Sequence, residues 1–325
     1  MTEIFSERSF DDISETWSRL LSKTATNTPF QLIEFLEVWF TELGYGSDTH
    51  ILHTEAGSID GIAPLRSQGQ SFTFLGDQDV CDFADFLITP GEEIGFFKVL
   101  LDYLSANECN SLKLFSVPEE SLTLTILPIV ARERGYKVKA CISDVVPGMR
   151  LPDTWAQFLS GLSKKNRHEL KRKFRRLETV EGVVWLELTQ PDEVQFAMDD
   201  FLKLLRLSGQ HKDEFLTPHR DRFFRQVAYR FALNGFLKLF FLEIEGQKVA
   251  GVMCFDYGNS RFLYNSGYNP ALGYYSVGLL LKAFSIQNAI EAGLKYYDFL
   301  RGDEPYKYDL GGIDRRVFNL DVEIG

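Results

Sequence analysis

One order of elements, met twice along the chain, restricts the fold more than any single motif. Residues 13–22 and 30–43 read as helices, the second with Leu32, Ile33, Phe35, Leu36, Trp39, Phe40 and Leu43 at helical spacing and Pro29 suited to its first turn. Three Gly-separated strand runs follow at 49–54, 59–66 and 71–75, short enough to connect as an antiparallel meander. Residues 94–106 and 122–134 then read as helices and 111–117 and 136–142 as strands, with Pro128 expected to kink or shorten the second helix. Beyond a junction marked by Pro147, Gly148 and Pro152 come short helices at 154–162 and 164–178. The plan then returns: helices 194–207 and 219–233, strands 237–244, 248–256 and 261–268, helix 276–292, strand 295–300 and a last strand 317–322. The expectation is an α/β (α+β) protein of two domains, 1–150 and 151–325, each a mixed, largely antiparallel sheet flanked by helices.

Length and composition allow this. A chain of 325 residues can bury two cores, and 45% apolar with 14% aromatic residues excludes a disordered protein. A net charge of -11 argues against a general nucleic-acid binder. Residues 164–176 break that trend, with eight basic side chains against the single acid Glu169. Ser163 can cap this helix, and Leu170, Phe174 and Leu177 share one face, so the remaining perimeter is cationic and either solvated or set against an anionic partner. The N-terminus lacks the pattern of a secretory signal, and no apolar run approaches the ~20 residues of a membrane span, so a soluble cytoplasmic protein is expected. Cys81, Cys109, Cys141 and Cys254 have no paired spacing, and His50 and His53 would point to opposite faces of a strand, so no metal site is expected.

The chemistry concentrates late in the chain. Tyr296-Tyr297-Asp298-Phe299-Leu300 reads as a short buried strand, and Arg301 to Lys307 then packs two basic and two acidic residues, a Gly and a Pro into seven positions. Such a density of charge belongs at a sheet's C-terminal edge, as a ligand crevice or as a solvated loop with local ion pairs. Upstream, Gly267 to Gly278 leads into a helix whose small first residues let backbone N–H groups approach an anion.

The order of strand pair, third strand, loop and helix resembles GNAT-fold acyltransferases, in which this loop holds the pyrophosphate of acyl-CoA. Only Ser276-Val277-Gly278 falls in register with that family's loop pattern. Ser163-Lys164-Lys165-Asn166-Arg167, Asp82-Phe83-Ala84-Asp85-Phe86 and the segment from Tyr297 to Lys307 together resemble the CelD-type acetyltransferases of polysaccharide biosynthesis, relatives of the Fem-type peptidyltransferases with two GNAT-like domains. The resemblance implies tandem GNAT-like domains, a catalytic second domain and acyl-CoA, in particular acetyl-CoA, as donor. It implies Lys307 as oxyanion stabiliser; Asp298 at the strand end is the candidate base or acceptor-orienting carboxylate, with Asp303 and Glu304 as the alternatives, and Arg301 would orient one of these acids or bind an anionic group on the donor. Tyr275, Ser276, Val277 and Gly278 would bind the donor. Asp82, Asp85, Tyr268, Asp303 and Glu304 would contact substrate, and Tyr268 or Tyr275 would protonate the departing thiolate. The alternatives are Fem-like transfer from aminoacyl-tRNA, with the basic helix gripping phosphates, and a non-catalytic module that binds an anion.

Overall fold

The computed structural model describes residues 4–7, 9–54 and 60–325, so Ile59, expected to open the second strand, lies outside the described residues. In chain order the first part contains β1 (Ile4–Glu7), α1 (Ser14–Leu21), α2 (Ile33–Glu42), β2 (Asp48–Thr54), β3 (Gly61–Gln68), β4 (Ser71–Phe74), β5 (Leu87–Ile88), α3 (Glu93–Ala106), β6 (Ser111–Pro118), α4 (Thr123–Glu133) and β7 (Lys137–Val145). α4 continues through Pro128 and is one residue shorter at each end than the span 122–134 read from the sequence. A proline removes one helical hydrogen bond, and here the ring is buried with Leu127, Val130 and Ala131, which offsets that loss.

The second part contains β8 (Gly148–Arg150), α5 (Trp155–Gly161), α6 (Lys164–Leu177), β9 (Val183–Leu188), α7 (Pro191–Leu207), α8 (Gln210–Phe215), α9 (Pro218–Leu233), β10 (Leu237–Ile244), β11 (Gln247–Tyr257), β12 (Ser260–Tyr268), α10 (Val277–Glu291), β13 (Tyr296–Asp298) and α11 (Pro305–Asp309). The last strand, β14 (Arg316–Glu323), closes the chain.

The strands form two sheets. The first runs β1-β2-β3-β4-β6-β14-β7, with β5 on β3; its β4–β6 pair is parallel and the other pairs antiparallel. The second runs β8-β13-β12-β11-β10-β9, with only β12–β13 parallel. β14 was expected in the second domain, but it hydrogen-bonds on both sides within the first sheet, with Val317 opposite Pro118 and Glu323 opposite Lys137. Conversely β8, in the stretch read as a junction, joins the second sheet with Met149 opposite Tyr297. The compact units are therefore residues 1–145 with 316–325, and 146–315. A strand joins whichever sheet offers a free edge, and sequence position does not disclose that edge.

The second unit carries the features that matter for chemistry. A parallel pair needs a crossover connection, and α10 supplies it between β12 and β13. Leu280, Leu281, Ile286 and Ala289 of α10 are buried with Val252, Cys254 and Tyr297 of the sheet. Arg261, wholly buried on β12, fixes this crossover. Its guanidinium donates to both carboxylate oxygens of Asp256 at 2.6 and 2.7 Å, to the Ser285 carbonyl at 2.7 Å and to Asn288 Oδ1 at 2.9 Å. Such a charge is tolerable in a core because four of its five N–H groups meet acceptors, two of them on one carboxylate.

Candidate active site

β12 and β13 pair only as far as Phe262 opposite Asp298; beyond that β12 continues to Tyr268 against β11 while the other chain turns away through Phe299 and Leu300. Parallel strands that part at their C-terminal ends leave a crevice. Here it is a pocket of ≈ 250 Å³ lined by Lys173, Tyr268, Gly273, Ser276, Val277, Gly278, Leu279, Lys282 and Tyr306.

The wall made by the start of α10 is suited to an anion. A helix begins with N–H groups that have no intrahelical acceptor, and its dipole favours negative charge there. Ser276, in the left-handed region at φ 57°, precedes this turn and accepts a hydrogen bond from Lys173 Nζ of α6 at 3.2 Å. Arg176 of the same helix donates to the Tyr274 carbonyl at 2.6 Å and lies 4.3 Å from the centre of its ring. The basic helix and the small-residue loop, singled out separately in the sequence, thus meet at one place. Gly278 fits closely there: a Cβ would sit 3.0 to 3.3 Å from three carbons of Tyr268, which would have to give way. A second, smaller pocket of ≈ 180 Å³ continues along α6, lined by Lys165, Asn166, Glu169, Lys173, Leu279 and Asp309 among others.

The opposite wall comes from the charged segment, but through Tyr306. Lys307 is only 1% exposed, and its ammonium donates to the carbonyls of Leu300 at 2.9 Å, Arg301 at 2.5 Å and Gly302 at 3.0 Å. It also pairs with Glu304 at 2.9 Å. Three N–H bonds are thereby committed, so the expected oxyanion role has no donor left in this geometry; Lys307 is a staple for the turn. Asp298, 2% exposed, accepts from the Leu300 amide at 2.8 Å and pairs with Arg315, so it too anchors the turn and does not open to the pocket as a base would. Leu300 at φ 59° and Gly302 at φ 107° show how tightly the chain bends; a Cβ on Gly302 would lie 2.5 Å from a Glu304 oxygen. Arg301 is half-buried and Asp303 exposed. Glu304, with a side chain 56% exposed, is pushed up by burial but held below the usual carboxylate range by Lys307.

Of the expected donor-binding residues, Ser276, Val277 and Gly278 line the pocket; Tyr275 packs against the core instead. Tyr268 lines it as well. Asp82 and Asp85 belong to the first unit. Asp85 is buried and accepts from Thr26 Oγ1 at 2.8 Å, Thr123 Oγ1 at 2.6 Å and the Phe86 amide at 2.9 Å, beside a cavity of ≈ 70 Å³. Burial raises its pKa despite these bonds.

Lys282 belongs to none of the sequence motifs. It shares a face of α10 with Gly278, Ser285, Ile286 and Ala289, all buried, and is itself 6% exposed. Its ammonium has a 3.4 Å contact with its own helix's Gly278 carbonyl and lies 4.5 Å from the Tyr306 ring centre. Burial, helped by the neighbouring charge of Lys212, brings its pKa down from 10.5 to about 7. Lys212 of α8, which donates to the Ser266 carbonyl at 2.5 Å, is lowered by burial as well. Burial and the charge of Glu304 raise Tyr306, which keeps its phenolic proton at neutral pH. A lone cation inside an otherwise apolar helical run was the available signal.

Residues 164–308 match the sequence model of the acetyltransferase (GNAT) domain. Solved structures agree in fold: FemX, at 11% identity and a TM-score of 0.67, covers 94% of this chain and 95% of its own. A tandem GNAT protein from the clavulanic acid biosynthesis pathway aligns at 13% identity with a TM-score of 0.56, covering 100% of this chain and 99% of its own. L-PGS from Bacillus licheniformis aligns at 13% identity with a TM-score of 0.57, covering 94% and 90%. No curated protein sequence matches the chain. The fold is thus mixed α/β with two sheets flanked by helices, like tandem GNAT proteins, and the matched segment is a GNAT acetyltransferase-like domain. Among the described residues no helix is long and apolar enough to cross a membrane, and no cluster of His, Cys, Asp and Glu is arranged to hold a metal ion.

Proposed function

We propose that the protein moves an acyl group, acetyl in the simplest case, from acyl-CoA to a hydroxyl or amine of a sugar, cell-envelope precursor or small metabolite, as in CelD-type polysaccharide biosynthesis in the cytoplasm. The observation that carries this reading is the pocket at the parting of β12 and β13, where the first turn of α10, Ser276 and Lys173 converge beside Gly278, against which Tyr268 packs. These groups fit a pyrophosphate, and the pocket beyond them fits a thioester. Holding donor and acceptor together supplies much of the rate. Tyr268 is assigned to the departing thiolate. Lys307 and Asp298 act as positioning residues: they fix the turn that presents Tyr306, while Arg301, Asp303 and Glu304 on that turn are assigned to the acceptor. The first unit, with Asp82 and Asp85, is assigned a supporting role.

A thermal-unfolding screen tests this, because a ligand that binds only the folded state stabilises it by about 2.7 kcal/mol at a hundredfold excess over Kd. Acetyl-CoA and coenzyme A should raise the midpoint, and no shift with any acyl-CoA would remove the reading. One observation favours a second donor, aminoacyl-tRNA: Lys164, Lys165, Lys171 and Arg175 stand exposed along α6, beyond the pocket. Stabilisation by charged tRNA but not by coenzyme A would select it.

A further inference from the structure

The residues around Lys282 are unusual in sign. From α6 comes Lys173, from α8 Lys212, and from the turn and α11 Lys307 with Glu304 and Tyr306; β12 contributes Tyr268, and Cys254 of β11 lies beneath. The acid Glu304 is paired to Lys307 and reaches Lys282 only through its charge, and Lys212 donates to a carbonyl, so no carboxylate hydrogen-bonds to Lys282. A substrate amine reaches such a site as an ammonium and is repelled by it. A neutral hydroxyl is not repelled, but it is a weak nucleophile and needs a base.

Resting on the acyl-transfer reading, we infer that the acceptor is a neutral hydroxyl and that Lys282, nine-tenths buried in the wall of the donor pocket, takes its proton. The acceptor oxygen bonds to the acyl carbon, and the C–S bond breaks with its electron pair going to sulfur. The proton passes from the hydroxyl to Lys282 Nζ, Tyr268 gives its phenolic proton to the thiolate, and the Lys282 ammonium returns one to Tyr268, leaving an ester and a free thiol. The amine is suited to this because burial and Lys212 bring its pKa to about 7, close to the working pH of a base. Tyr306, whose ring lies 4.5 Å from Nζ, shields it from water.

The test follows thiol release from acetyl-CoA between about pH 6 and about pH 9, with glycerol or 1,3-diaminopropane as acceptor, each corrected for its enzyme-free blank. Wild type is expected to respond to glycerol and not to the diamine, and its rate should fall below about pH 7. Lys282→Met should lower the glycerol-dependent rate about 10²-fold while coenzyme A still raises the unfolding midpoint. Lys282→Arg keeps the positive charge but cannot give up a proton, so it should fail equally; a purely electrostatic role would survive it. Equal rates in wild type and either variant, a preference for the diamine, or no thiol release with either probe by a protein that coenzyme A stabilises would each overturn the inference. Absence of stabilisation by coenzyme A is a separate failure, that of the acyl-CoA reading itself.

Discussion

Two lysines of the second unit, both more than nine-tenths buried, show what burial of a charge can mean. Lys307 faces three carbonyls and a carboxylate within 3.0 Å, whereas Lys282 has a single carbonyl contact at 3.4 Å and an aromatic face. The first arrangement replaces water completely and holds a turn together. The second replaces it poorly and leaves an amine ready to change its protonation. Lys307 of the charged segment is therefore scaffold, and the poorly satisfied amine sits in the apolar helix beside it.

The same substitution should act in opposite directions at the two sites. Lys307→Met strands three carbonyls and is expected to cost about 3–5 kcal/mol, read as a lower denaturant midpoint. A loss below ~1 kcal/mol would break the comparison. Lys282→Met removes a poorly solvated cation and should stabilise the protein at neutral pH. The sign in pH follows from linkage: the folded pKa of about 7 lies below the unfolded 10.5, so the unfolded chain holds more protons between them. Wild-type stability should then rise with pH through that window by as much as about 1.4 kcal/mol per unit relative to Lys282→Met. A flat difference curve would show that Lys282 is charged and satisfied like Lys307.

Smaller effects sharpen the pocket itself. Gly278→Val drives a side chain against Tyr268, and coenzyme A affinity should fall at least about tenfold, or 1.4 kcal/mol, in a calorimetric titration with the fold intact. Ser276→Gly suits the left-handed backbone but loses the Lys173 contact. Its stability should change by less than ~1 kcal/mol while donor affinity falls a few-fold.

Much of the architecture was written in local patterns. The helix periods and the Gly-separated strand runs located the repeated plan, and the loop before α10 was picked out by its small residues. Pairings between distant segments were not legible. β14 carries the same alternation whichever sheet it enters, and β9, although apolar at five of its six positions, does not disclose that it pairs with β10 at the end of the second sheet. The roles of Lys307 and Asp298 depend on where backbone carbonyls and an amide point after a bend at Leu300, which side-chain identity does not encode. Lys282, by contrast, stood in plain view between Leu281 and Ala283.

The place of β14 between β6 and β7 has a consequence for biogenesis. Both neighbours emerge from the ribosome long before their shared partner, and must keep unpaired backbone edges while the whole second unit is made. Completion of the first sheet is thus a late, long-range event, and a nascent chain stalled before Arg316 is the form most exposed to aggregation and to chaperone capture.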